Sequence, residues 1–164
     1  MKIDIKKDTI IVFDLDRTIW DCIDKFGNTI WAKQLIPPYT KVDKNTIIDD
    51  CFSVCKLQDG FIDFIDQIQN NKVVFLSNGA ILNVDYTNQP SIKILNMFDL
   101  YKYFDKDSIL TYKTFQKEKY FNDINQYLFF DDDDKHLINV QKNKNVSCID
   151  RKLMGEWCKI IIQK

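Results

Sequence analysis

Four short runs of β-branched, aromatic and aliphatic residues constrain this chain more than any other feature. They are residues 9–13 (Thr-Ile-Ile-Val-Phe), 72–76 (Lys-Val-Val-Phe-Leu), 127–130 (Tyr-Leu-Phe-Phe) and, more weakly, 146–149 (Val-Ser-Cys-Ile). None is long enough for a globular helix or shows its period, so each reads as a strand buried on both faces. Strands of that kind belong to parallel sheets covered by helices. Helical spacing fills the gaps. Phe61, Phe64, Ile65 and Ile68 recur on one face, with Asp59 as the expected N-cap, and Pro90 opens a segment through Ile94, Leu95 and Phe98. Residues 113–126 can carry a third helix, and Leu137, Ile138 and Gln141 mark a fourth. The alternation predicts an α/β fold with a mainly parallel central sheet, a single domain over residues 1–164. Residues 19–39 differ: Phe26-Gly27-Asn28-Thr29 reads as a turn between two short extended arms, a flap, before Pro37-Pro38 blocks regular structure.

Three of the runs end in residues suited to chemistry. The first delivers Asp14, Asp16, Arg17 and Thr18, the second Ser77, Asn78 and Gly79, and the third Asp131, Asp132, Asp133 and Asp134. Ligands of open α/β sheets bind beyond the carboxyl ends of the strands. Carboxylates gathered there need a cation, and hard oxygen ligands select magnesium. Asp133 and Asp134 are better read as the acidic start of a helix. Asp132 falls between, reaching a metal through water or orienting Asp131. His136, the single histidine, reads as a surface or capping residue. Trp20 and Trp31 can form an aromatic wall facing a substrate, or simply pack the loop. Arg17 either pairs with a substrate phosphate or projects outward.

Composition argues against several classes, against nucleic-acid binding only weakly because a local basic groove is compatible with it. With 45% apolar and 29% charged residues and a net charge of −1, the chain has no polybasic field for nucleic acid or an anionic membrane. It has no apolar run of membrane-spanning length, and its charged first residues lack a signal-peptide core. The expected address is the cytoplasm, with the nucleus as the alternative. Five cysteines are an odd number for a disulfide scaffold and fit reduced thiols. Cys51 and Cys55 would lie one helical turn apart, with no second pair to complete a zinc set.

Residues 13–20 (Phe-Asp-Leu-Asp-Arg-Thr-Ile-Trp) resemble the first motif of the haloacid dehalogenase superfamily. Trp20, residues 36–39 (Ile-Pro-Pro-Tyr), residues 98–104 and residues 129–132 (Phe-Phe-Asp-Asp) look like the eukaryotic magnesium-dependent phosphatase family within it. The resemblance covers roughly residues 9–150. It implies a Rossmann-like three-layer sandwich, with Asp14 as nucleophile and Asp16 as general acid and base. It implies further that Ser77, Asn78 and Thr18 bind phosphate, and that a third-motif lysine assists. Lys113, Lys117 and Lys119 all lie in the correct interval; the pattern favours Lys117, with Lys113 as the alternative. The magnesium site would comprise Asp14, the Asp16 main-chain carbonyl, Asp131 and Asp132.

Superfamily members usually carry a cap domain, and neither inter-motif interval here leaves room for one beyond the flap. An open site suits bulky phosphorylated substrates such as phosphoproteins or glycated proteins; small sugar phosphates stay open as well. Two other classes compete. A polynucleotide 3′-phosphatase would need a basic and aromatic track beside the site, for which the lysines of residues 113–119 are the sequence's one candidate. A non-enzymatic binding protein on the same fold would not need so complete a set of Asp14, Asp16, Ser77 and Asp131.

Overall fold

The computed structural model describes residues 1–112 and 116–163. Twelve strands follow in chain order: β1 (Lys2–Asp4), β2 (Ile10–Phe13), β3 (Trp20–Ile23), β4 (Thr29–Ile30), β5 (Thr40–Asp43), β6 (Thr46–Ile48), β7 (Val54–Leu57), β8 (Val73–Ser77), β9 (Ile109–Leu110), β10 (Tyr127–Asp131), β11 (Val146–Asp150) and β12 (Ile161–Gln163). Among the described residues four α-helices accompany them: α1 (Phe61–Gln67), α2 (Pro90–Met97), α3 (Asp134–Val140) and α4 (Arg151–Met154).

All four expected strands form, and they lie in one parallel five-stranded sheet of order β11-β10-β2-β8-β9. Successive side chains of a strand point to opposite faces, and both faces are covered. On one face Phe13, Phe75 and Phe130 pack with Phe61 and Phe64 of α1, Ile94 and Leu95 of α2, and Trp157. On the other, Val12, Val74, Leu76 and Phe129 pack with Leu137 and Val140 of α3 and with Phe121. Phe13 stacks on Phe130 at 5.1 Å and meets Trp157 edge-on at 5.7 Å. A fully buried aromatic of this kind contributes roughly 2–3 kcal/mol, so the residue immediately before Asp14 is firmly anchored.

The interval after the first motif holds more than a flap. The expected arms appear as the antiparallel pair β3 and β4, but they join β5, β6 and β7 in a five-stranded antiparallel sheet of order β4-β3-β7-β6-β5. The insertion therefore runs to Leu57 rather than ending at Tyr39, and α1 follows it. Cys55 lies in β7, paired opposite Cys22 of β3, so the helical spacing expected for Cys51 and Cys55 is not realised.

Local chemistry explains two further differences. Gly60, in the left-handed conformation at φ 80°, takes the N-cap position of α1, while Asp59 pairs with Lys56 at 3.3 Å. The helix expected over residues 113–126 is a single 3-10 turn at Lys117–Lys119. Beyond it the Asn122 side chain accepts the amides of Ile124 and Asn125, competing with a helical ladder. Its first three residues, Lys113 among them, lie outside the described residues. The short parallel pair of β1 and β12, with no counterpart in the sequence reading, joins the two ends. Among the described residues no helix is long and apolar enough to cross a membrane.

Candidate active site

Register places the carboxylates. Phe13 of β2 lies opposite Phe130 of β10, so Asp14 and Asp131 leave adjacent strands side by side. Phe13 also lies opposite Phe75 of β8, which brings Ser77 to the same edge from the other flank. The ladder continues one step further, with the Asp14 amide donating to the Phe130 carbonyl at 3.0 Å. Here a cavity of about 590 Å³ opens, with Asp14, Asp16, Ser77, Lys117, Asp131 and Asp132 among its lining residues.

Lys117 is 2% exposed, and a buried ammonium requires partners. Its Nζ donates to Asp14 Oδ1 at 2.6 Å and to Asp131 Oδ2 at 2.7 Å. Burial pulls the lysine pKa down, but the two carboxylates more than offset this and hold it above its ordinary value. For Asp131 burial acts upward, yet hydrogen bonds from His136 and Lys117 leave its carboxyl below the usual range. Asp14 is pushed up to about 7, by burial first, with Lys117 opposing and Asp131 adding to the rise. Asp132 is pushed up to about 6 by burial and by Asp131, with Arg17 opposing. Between an ordinary carboxyl pKa and these raised values the folded state binds more protons than the unfolded chain. Asp14 therefore lowers stability as pH rises from about 4 toward 7, and Asp132 as it rises from about 4 toward 6.

Ligand oxygens of Asp14, Asp131 and Asp132 lie within 4.8 Å of one another. Three hard oxygen donors at that spacing suit a small divalent cation such as magnesium. Lys117 engages only one oxygen of Asp14, whose Oδ2 makes no hydrogen bond among the described residues. A cation would also relieve the burial and repulsion that raise Asp14 and Asp132.

Asp16 sits on a tight turn after β2, in which the Thr18 and Ile19 amides return to the Leu15 carbonyl and the Arg17 amide donates to the Trp20 carbonyl at 2.7 Å. Its Oδ1 accepts the Trp20 indole N–H at 3.0 Å and the Ala32 amide at 2.8 Å, which fixes its rotamer. Burial raises its pKa, with the Ala32 and Trp20 hydrogen bonds opposing. The carboxyl is thus rigid and biased toward the protonated form. Gly79 lets the second-motif loop come close: a Cβ there would meet Ser77 Oγ at 3.1 Å and Asp16 Oδ2 at 3.2 Å.

The structure brings Asp14, Asp16, Ser77, Asn78, Lys117, Asp131 and Asp132 to one cavity, and leaves Thr18 out of it. Thr18 is fully buried and its hydroxyl makes no hydrogen bond among the described residues, so the expected phosphate contact is not available to it. Its carbonyl instead accepts Arg151 Nε at 3.2 Å. Trp20 is likewise fully buried, a support for Asp16 rather than a wall; Trp31 does line the cavity, with the Arg17 guanidinium 4.4 Å over its ring. His136 lies on the cavity, its Nδ1 3.1 Å from Asp131 Oδ2, rather than on open surface. Its position five residues after Asp131, across a strand-to-helix turn, was the available signal. Asp133 caps α3, accepting the Lys135 amide at 2.8 Å.

No protein-family model matches this chain, and no curated protein matches it either.

Proposed function

We propose that the protein is a magnesium-dependent phosphomonoesterase acting through an aspartyl-phosphate, with the Rossmann-like arrangement of the haloacid dehalogenase superfamily that its motifs resemble. One observation carries this reading: Asp14, Asp131 and Asp132 converge at the carboxyl ends of parallel strands, with buried Lys117 bridging the first two. Asp14, Asp131, Asp132 and the Asp16 carbonyl would hold the cation. Magnesium supplies the charge that lets a carboxylate approach a phosphate dianion.

The remaining steps belong to the chain's own groups. Asp14 Oδ2 forms a bond to phosphorus as the bond to the leaving oxygen breaks. Protonated Asp16 gives its proton to that oxygen, which leaves as an alcohol. Asp16, now a carboxylate, takes a proton from water as the water attacks phosphorus, releasing Asp14 and inorganic phosphate. Ser77, Asn78 and neighbouring amides bind the non-bridging oxygens, and Lys117 balances charge on Asp14 and Asp131.

Hydrolysis of an aryl phosphate is expected to require magnesium and to cease in excess chelator. Full activity in chelator would overturn the mechanism. A second expectation follows from the raised carboxyls. Because protons compete with the cation for Asp14 and Asp132, magnesium should raise the thermal unfolding midpoint more at about pH 8 than at about pH 5.5. Equal shifts at both would show that these carboxyls do not hold it.

A further inference from the structure

The catalytic cavity does not end at its carboxylates. A second cavity of about 520 Å³ adjoins it, lined by the cations Arg17, Arg151 and Lys152 and by the carboxylates Asp21 and Asp132, with Thr29 and Gln58. Arg17, Asp132 and Lys152 line both cavities. Two of the cations make no ion pair within 4.0 Å among the described residues, although Asp21 acts on Arg151 and Asp132 on Arg17 at longer range. Arg151 is half-buried, and among the described residues its hydrogen bonds end on neutral acceptors: the carbonyls of Thr18 at 3.2 Å and Gly155 at 2.7 Å, and the Gln58 side-chain oxygen. Gln58 in turn donates to Asp21, which orients it. Arg17 makes no ion pair within 4.0 Å among the described residues. Its guanidinium is instead stacked on Trp31, and its backbone is held at φ 64° by the turn that presents Asp16. A large side chain in the left-handed region costs free energy and persists where the surroundings impose it. Lys152 pairs with Asp134, which also lines the catalytic cavity, at 2.9 Å.

Resting on the phosphatase reading above, we propose that the substrate's leaving group carries a second phosphoryl group, held by Arg17, Arg151 and Lys152 in the adjoining cavity. The leaving oxygen must face Asp16, and Arg17 lines both the cavity that holds Asp16 and the adjoining one, so a group that extends from that oxygen into the second cavity passes Arg17. A pre-ordered guanidinium suits a phosphate oxygen pair, whether of a phosphomonoester or of a phosphodiester. Two sources share this chemistry: a small bisphosphate, and a 3′-phosphorylated strand end whose next phosphodiester lies one nucleotide away. The basic and aromatic track that a strand end requires is available in Arg17, Trp31, Arg151 and Lys152.

The test compares kcat/KM for matched pairs in magnesium: propane-1,3-diol bisphosphate against propyl phosphate, and a thymidine dinucleotide 3′-phosphate against thymidine 3′-phosphate. The second phosphoryl group should raise kcat/KM at least about tenfold in one pair or both. A rise in the first pair alone assigns a small bisphosphate; a rise in the second alone assigns a strand end. In Arg17→Ala and in Arg17→Gly, which suits the left-handed backbone, this ratio should fall toward unity whatever happens to the absolute rates. A purely structural Arg17–Trp31 stack would lower both members of a pair together and leave the ratio intact, which overturns the proposal. Ratios near unity in the unmodified protein do the same. If nothing is hydrolysed, the same pairs are titrated calorimetrically into the Asp14→Asn protein. A binding preference that Arg17→Ala removes then keeps the site and discards the phosphatase reading; no preference discards the site.

Discussion

Replacing Asp14 with asparagine is expected to lower kcat for an aryl phosphate by at least about 10⁴-fold, because a neutral amide is a poor nucleophile toward phosphorus. The same change should leave the protein folded and, in chelator near neutral pH, at least as resistant to heat. Burial, and Asp131 beside it, push the Asp14 carboxyl up to about 7. The folded state thus already resists ionising this group, and an isosteric amide removes that cost. Lys117 keeps its 2.7 Å bond to Asp131, so the ammonium is not abandoned in the interior. Activity measured beside a thermal melt separates this from simple unfolding. Substantial turnover by the folded variant would show that the nucleophile lies elsewhere. A melt shifted sharply downward would show that Asp14 supports the fold rather than straining it.

How much of this was legible beforehand depended on how each element is held. The parallel strands were readable because both faces of the sheet are buried, leaving runs such as Val73–Ser77 with nothing polar before their last residue. Their carboxyl ends then named Asp14, Ser77 and Asp131 without any packing information. The antiparallel sheet was harder. Its strands are two to four residues long, and Thr40–Asp43 is exposed throughout. The weak alternation in Trp20–Ile23 and Val54–Leu57, buried at every second residue, was the usable trace. Lys117 could be preferred over Lys113 only through resemblance, since three lysines share the interval. The stack of Arg17 on Trp31 was out of reach. It depends on a left-handed arginine, a conformation that sequence reading reserves for glycine or asparagine.

Changing Asp16 to asparagine should produce a different defect, concentrated in kcat. The Asp16 side chain is held by Trp20 and Ala32, and both bonds end on Oδ1, which an amide oxygen can replace as acceptor. Fold and substrate affinity should therefore survive, with KM little changed. The lost proton transfer is worth about 10²–10⁴-fold for a substrate with a poor leaving group. A nitrophenolate needs little protonation, so its first step should be partly rescued, and the penalty should shrink as leaving-group pKa falls. Hydrolysis of the aspartyl-phosphate gains nothing from a better leaving group, because water has lost its base. With the nitrophenyl ester, phosphoenzyme should thus accumulate: a burst of nitrophenol, followed by slow turnover. Rapid acid quench and peptide mass analysis should find the phosphoryl group on Asp14. An equal rate loss across all leaving groups would remove Asp16 from proton transfer. A label on a serine, a cysteine or His136 would overturn the nucleophile and the mechanism with it.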